Sequence, residues 1–350
     1  MAKLLFGEQY NIISFDPRGV NNSGPSLDCF AGRPEARVAF KRLHNTGMTN
    51  VSTTSLDEQY YSSSIYGDWC NHAAKTKSPH GYYVTTPAVA RDLLAFIEGE
   101  AKAAGKPASD AKLSAYGISY GTVTGATFAS IFPDRVERMI LDGVVDADLY
   151  YRNDYSANVE QSDEAVEQFS KLCHSAGPKN CSFWGPSSQN IITRLDNIIH
   201  QLQNHPVPIS GAESQTSPTR ATYSDLKALI LQGIYSPLAL FPGMADTLHQ
   251  IEQGNVSALV GLFDQQMIPD DPNHVIQCAD ASRTNSIKSL DDFKKYVKYT
   301  TYKSKYIGDL YPIYVDSVLC QSIKANLPES MLISSMYLHW SIRIRNAGRE

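Results

Sequence analysis

The stretch Lys112-Leu113-Ser114-Ala115-Tyr116-Gly117-Ile118-Ser119-Tyr120-Gly121-Thr122 decides how this chain is read. Lys112 to Tyr116 has the length and composition of a short strand, and it runs without a spacer into Gly117. Thr122 to Phe132 reads as a helix that Pro133-Asp134 ends. A G-x-S-x-G match alone carries little weight, since about one chain in ten of this length contains it by chance. Its place between a strand and a helix is what matters, because a serine there is forced out on a sharp turn at the carboxyl edge of a sheet. Flanking glycines are expected so that no side chain strikes the neighbouring helix or strand. The following helix aims its N-terminus, with partial positive charge, at the serine.

Outward from this turn, Tyr10 to Phe15 reads as a strand stopped by Asp16-Pro17-Arg18-Gly19. Asn21 to Pro87 is polar and predicts a long excursion with little regular structure. Ala88 to Ala104 predicts a helix, with Val89, Leu93, Phe96 and Ile97 at helical spacing and Gly105 and Pro107 ending it. Gly125, Ala126 and Ala129 would let the helix after Ser119 pack close to a sheet. Val136 to Leu141 predicts a further strand, closed by Asp142-Gly143. Strand and helix alternate, which predicts a parallel sheet with crossover helices. Beyond Val145 helices dominate: Asp163 to Cys173, Gln189 to Leu202, Tyr223 to Ile234, Met244 to Gln253 and Leu290 to Tyr299. Ile191, Ile192, Leu195, Ile198, Ile199 and Leu202 form a clear apolar stripe. No further strand of the parallel sheet is evident. The expected organisation is a partial α/β core over 1–145, a large, mostly helical cap over 146–324, and a divergent tail over 325–350.

The 350 residues are 42% hydrophobic and 19% charged, enough apolar material for a sizeable core. A net charge of -5 and a pI near 6.0 give no reason to expect nucleic acid or an anionic membrane as partner. No segment is apolar for long enough to span a bilayer. Six cysteines without a C-x-x-C pair argue against a zinc ribbon or thioredoxin-like site. Their even number suggests disulfides and an oxidising compartment, against the alternative of six buried thiols. Sequons at Asn21, Asn50, Asn180 and Asn255 point toward export and glycosylation. Met1-Ala2-Lys3-Leu4-Leu5-Phe6 is too short for a signal peptide, and one explanation is that the natural beginning is absent.

The chemistry expected at the turn is nucleophilic. Ser119 is the candidate nucleophile, and the backbone N–H of Tyr120 is the candidate oxyanion donor. A serine hydroxyl needs a histidine base and a carboxylate to orient it, in the chain order Ser, Asp or Glu, His. The histidines after Ser119 are His174, His200, His205, His249, His274 and His339. None has local context that marks it as the base. No metal-ligand cluster stands out, and no cofactor is implied.

These residues resemble the tripeptidyl-aminopeptidase-like branch of the α/β-hydrolases, related to prolyl aminopeptidases and common in fungi and actinobacteria. The resemblance rests on Ile13 to Val20, on Tyr116 to Thr122, on Phe132 to Val136, on Leu141 to Asp146, on Cys173 to Cys181 and on Ile276 to Asp280. It runs with gaps from about Tyr10 to about Cys320. It implies a partial α/β-hydrolase core with a helical cap, and a serine peptidase, typically secreted, that acts at peptide N-termini. It also implies a cap hairpin closed by a disulfide between Cys173 and Cys181, and the full pairing to test is Cys29–Cys70, Cys173–Cys181 and Cys278–Cys320. The family's His-Gly-Gly loop, triad Asp and Gly-His pair have no counterpart in this chain. From Ser330 to Glu350, including Met331, Tyr337, His339, Trp340 and Arg345, nothing matches the family. The chain therefore reads as truncated at both ends.

Three expectations follow. The first is a serine hydrolase for a small peptide or small acyl substrate, acting through Ser119 and impaired for want of an identifiable base. The second is a non-catalytic relic or binding protein. The third is an ester, amide or lactone hydrolase of fungal secondary metabolism. Substrate, compartment and oligomeric state are not specified by the residues.

Overall fold

The computed structural model describes residues 7–9, 11–212, 217–267 and 271–333. Among the described residues two helices come first, α1 (Pro34–His44) and α2 (Ser55–Thr76). They replace the irregular excursion expected from the polar sequence. What α2 buries is mostly small or polar (Ser55, Gln59, Ser63, Gly67, Ala73, Ala74), so no apolar stripe announces it. The packing there is close: a Cβ on Gly67 would sit 2.2 Å from Ser322 Oγ and 2.6 Å from its carbonyl oxygen.

Helix α3 (Thr86–Ala103) leads into β1 (Leu113–Ile118), α4 (Tyr120–Ile131) and β2 (Val136–Asp142). The two strands pair in parallel, with Ala115 opposite Met139, Gly117 opposite Leu141 and Ile118 opposite Asp142. Leu113 is buried on one face with Ala90 of α3 and Phe128 of α4, and Leu93, Ile97, Ala115 and Met139 pack around them. Gly125 brings α4 onto the sheet, since a Cβ there would lie 2.8 Å from Leu141 Cδ2 and 3.0 Å from Met139 Sδ. The other face carries the exposed side chains of Tyr116, Ile118 and Ile140.

The strand expected over Tyr10 to Phe15 is not formed. Residues 11–15 have no ladder partner, and Ile12, Ile13 and Phe15 are exposed; Tyr10 lies outside the described residues. A segment of strand-like composition becomes a strand only where a neighbouring edge takes up its N–H and C=O groups. Among the described residues β1 and β2 pair with each other alone. The turn that follows is formed. Val20 N–H donates to Pro17 C=O at 3.0 Å, and Arg18 grips Asp92 of α3 through Nε at 2.5 Å and Nη2 at 2.6 Å.

The chain then becomes mostly helical through α5 (Ala147–Tyr151), α6 (Ser162–Ala176) and α7 (Ser188–Asn204). A short antiparallel pair follows, β3 (Val207–Ile209) with β4 (Thr219–Ala221). After it come α8 (Tyr223–Tyr235), α9 (Pro237–Glu252), α10 (Leu262–Gln266), α11 (Asp271–Asp280), α12 (Leu290–Lys303) and α13 (Tyr311–Tyr314). Helix α9 starts seven residues before the expected Met244, because Pro237 is accommodated in its first turn. The stripe on α7 buries Ile191, Leu195, Ile198 and Leu202 against Phe169, Leu226, Ile230 and Leu248, with Ile192 and Ile199 at its margin.

All three expected disulfides form: Cys29–Cys70, Cys173–Cys181 and Cys278–Cys320. The four sequon asparagines are exposed. No described helix is long and apolar enough to cross a membrane. Of the tail, Met331 accepts a hydrogen bond from Thr85 Oγ1 at 2.7 Å. Tyr337, His339, Trp340 and Arg345 lie outside the described residues.

Candidate active site

Backbone geometry makes this site. β1 ends with Ile118 opposite Asp142, and Ser119 leaves it with φ 54° and ψ -120°. That φ is left-handed and costs a non-glycine residue on the order of 1–3 kcal/mol, so the surroundings must enforce it. They do so from both sides. Ser119 N–H donates to Asp142 C=O at 3.0 Å. Ser119 C=O accepts from Thr122 N–H at 2.8 Å and from Thr122 Oγ1 at 2.6 Å. Thr122 Oγ1 in turn accepts from Val145 N–H at 3.0 Å. The serine is thus clamped between the end of β2 and the first turn of α4.

The two flanking glycines are not equivalent. A Cβ on Gly117 would fall 2.4 Å from Gly121 C=O oxygen, a collision of backbone with side chain. A Cβ on Gly121 would meet nothing within 4 Å. The expectation that both positions exclude a side chain therefore holds for Gly117 and fails for Gly121. Gly121 is where the helix begins to rise away from the strand, and its side-chain direction is open.

Tyr120 is the first residue of α4, so its N–H has no carbonyl four residues back within the helix. Such an amide is available to an oxyanion. Its side chain runs elsewhere, with the phenol 2.7 Å from Thr86 Oγ1. Burial raises the Tyr120 phenol pKa, so the group stays protonated at neutral pH.

Ser119 and Tyr120 border a cavity of about 1290 Å³. Its lining is apolar and aromatic at Leu231, Ile234, Ile307, Ile313, Tyr311 and Tyr314, and polar at His44, His274 and Asp316. Of the six histidines that follow Ser119 in sequence, His274 lines this cavity, edge-on to Tyr66 with ring centroids 6.0 Å apart. His174 packs on Trp184 and bonds Gly185 C=O at 2.9 Å, a role within the cap. His200 and His205 are exposed, and His339 lies outside the described residues.

Sequence reasoning missed His44, because it searched only after the serine. His44 is buried, with Nε2 2.9 Å from Asp316 Oδ1 and Nδ1 2.7 Å from Ser62 Oγ. Both ring nitrogens are engaged, one by Asp316 and the other by Ser62, so this His–Asp pair leaves no free lone pair for Ser119. Among the described residues no hydrogen bond reaches Ser119 Oγ. No group of three or more His, Cys, Asp or Glu side chains with metal-binding geometry occurs among them either.

The sequence model of the alpha/beta hydrolase fold family matches residues 1–176. Serine protease Hip1 of Mycobacterium tuberculosis (strain CDC 1551 / Oshkosh) is 26% identical over 315 residues, covering 86% of this chain and 57% of that protein. The Mycobacterium bovis protein of the same name matches to the same extent. Tripeptidyl aminopeptidase of Streptomyces lividans is 32% identical over 154 residues, 43% of this chain and 25% of that protein. The chain thus spans little more than half the length of the Hip1 proteins it matches.

Proposed function

This chain belongs to the alpha/beta hydrolase fold family, and on that premise we propose a serine hydrolase of the peptidase kind, releasing residues from peptide N-termini through an acyl-enzyme on Ser119. The observation that carries the reading is the backbone of Ser119, held at φ 54° and ψ -120° between a parallel strand and a helix N-terminus. Strained backbone of this kind clusters at active sites, and here three hydrogen bonds hold Ser119 while a fourth holds Thr122 beside it. The protease and aminopeptidase names of the relatives support the substrate class. The cavity is large enough for the end of a peptide.

In the proposed reaction Ser119 Oγ forms a bond to the acyl carbon, and the carbonyl electron pair moves onto oxygen. Tyr120 N–H donates to that oxyanion, aided by the positive end of α4. Collapse expels the amine, which takes up the proton lost from Oγ, and water then cleaves the ester. Since no base contacts Oγ among the described residues, the proton-removal step is the weak one. Loss of triad partners leaves a residual rate about 10³- to 10⁴-fold above water, and turnover by this chain is expected in that range.

A fluorophosphonate probe tests the assignment without needing turnover. Slow covalent labelling that maps to Ser119 and is absent from Ser119→Ala is expected. Equal labelling of the variant, or a label on another residue, rejects Ser119 as nucleophile. Rapid peptide hydrolysis that Ser119→Ala abolishes would instead overturn the expectation of an impaired rate.

A further inference from the structure

Four elements converge on one buried carboxylate that the reaction above does not use. Asp280, the last residue of α11, accepts from Thr86 N–H at 2.7 Å through Oδ1. Its Oδ2 accepts from Thr86 Oγ1 at 2.5 Å and from Tyr150 OH of α5 at 2.9 Å. Thr86 Oγ1, at the start of α3, is also 2.7 Å from the phenol of Tyr120, the first residue of α4. Asp280 and Thr86 are buried. The residue after the nucleophile is therefore tied, through one hydroxyl, to a carboxylate 160 positions further along the chain.

Counting protons fixes the direction of these bonds. An ionised carboxylate only accepts, and a threonine hydroxyl has one proton to give. With Asp280 ionised, Thr86 spends its proton on Oδ2, so the Thr86 oxygen can only accept from Tyr120. The relay then runs Tyr120 to Thr86 to Asp280, and every donor is used. With Asp280 protonated, the added proton belongs on Oδ2, because Oδ1 already faces the Thr86 N–H. Pointed at Thr86, it makes Thr86 turn its own proton toward Tyr120, so the Tyr120–Thr86 bond reverses direction and the Tyr120 phenol must send its own proton elsewhere.

We propose that Asp280 is a positioning residue for the Ser119–Tyr120 turn: its ionised carboxylate, acting through the Thr86 hydroxyl, holds the Tyr120 side chain and with it the Tyr120 N–H that meets the oxyanion. The consequence for rate rests on the hydrolase reading given above; the positioning does not.

The relay switches near neutral pH. Burial pushes Asp280 up to about 7, with the bonds from Thr86 and Tyr150 pulling back against it. The groups that face it are Thr86 on α3, the phenols of Tyr120 on α4 and of Tyr150 and Tyr151 on α5, and that of Tyr155 just beyond. None of these is a cation that would keep the carboxylate ionised. The ordered relay is accordingly present above about pH 7 and lost as the pH falls below it.

Asp280→Asn copies the protonated arrangement at every pH, because its amide donates where Oδ2 accepted. Thr86→Val removes the relay at nearly constant volume, and Thr86→Ser restores it. The test follows the Tyr120 signal of protein labelled with ¹³Cζ-tyrosine, assigned with Tyr120→Phe, through a pH titration by NMR. The wild-type and Thr86→Ser signals should move with a midpoint near pH 7, and those of Asp280→Asn and Thr86→Val should not. Fluorophosphonate labelling of Ser119 above that midpoint should slow about tenfold in Asp280→Asn and Thr86→Val, the worth of one hydrogen bond, and recover in Thr86→Ser. A Tyr120 signal that does not titrate in the wild type, or that titrates equally in Asp280→Asn, overturns the proposal, as does wild-type labelling by Thr86→Val. If Ser119 takes no label in any of these proteins, the hydrolase reading fails, and the NMR titration alone decides the positioning role.

Discussion

Substituting alanine for each glycine of the turn should give effects of opposite sign. At Gly117 the new Cβ would meet three backbone atoms of the first turn of α4. These are the Gly121 carbonyl oxygen at 2.4 Å, its carbon at 2.7 Å and the Thr122 nitrogen at 3.2 Å. No flexible side chain can swing aside, so either β1 or α4 must move. Overpacking of this kind costs ~1–3 kcal/mol, and a backbone collision belongs at the upper end. With an unfolding entropy of ~2.1 cal/mol/K per residue, a loss of ~3 kcal/mol from a chain of 350 residues lowers the melting temperature by about 4 °C. Gly121→Ala meets open space and replaces a poor helix former, so it should gain up to ~1 kcal/mol. Thermal unfolding of the two variants and the wild type, disulfides intact, measures both. Gly117→Ala should also label more slowly at Ser119, because the collision displaces the strand end that presents it. A Gly117→Ala protein that melts with the wild type, or a Gly121→Ala protein destabilised as much as Gly117→Ala, refutes the close approach as the reason for the glycine.

Two further predictions concern what holds the fold together. Lys227 is fully buried, with Nζ 2.9 Å from Asp309 Oδ1 in an ion pair and 2.7 Å from the carbonyl oxygens of Lys305 and Tyr306. Lys227→Met strands that carboxylate with Tyr223 OH as its remaining donor; it should cost ~3–5 kcal/mol in denaturant unfolding, and Asp309→Leu added to it should return part of the loss. The three disulfides differ in the loops they close, 8 residues for Cys173–Cys181 against 41 and 42 for Cys29–Cys70 and Cys278–Cys320. On chain entropy, removal of the short one should cost ~2.5 kcal/mol and of either long one ~4 kcal/mol, and equal losses in paired Cys→Ser variants would contradict that ordering.

Local signals were legible wherever they were also sufficient. The strand, turn and helix around Ser119 need only residues 113–142, and β1, α4 and β2 stand within two residues of where the sequence put them. The α7 stripe was legible for the same reason, since six aliphatic side chains at helical spacing leave one burial solution. Helix α2 was not, because most of what it buries is Ser, Gln, Gly and Ala, and Gly67 there meets Ser322, about 250 positions away. Residues 11–15 failed in the opposite sense. Their composition is that of a strand, but a strand is a pairing, and pairing is not a property of the segment.

The site divides along the same line. The geometry of Ser119 is set by Asp142, Thr122 and Val145, all within 26 residues of it, so a strained nucleophile turn forms whether or not a base is at hand. A base is a long-range partner and has no local signature. His44 shows how misleading chain order can be: it precedes Ser119 by 75 positions, yet it lines the same cavity and pairs with Asp316. It has the carboxylate partner of a catalytic imidazole and lacks the free nitrogen, because Ser62 occupies it. Nucleophile geometry and proton transfer are therefore separable in this chain. Covalent labelling reports on the turn, whereas turnover reports on whatever accepts the Oγ proton, so labelling of Ser119 without matching turnover is the signature that the two are built by different parts of the protein.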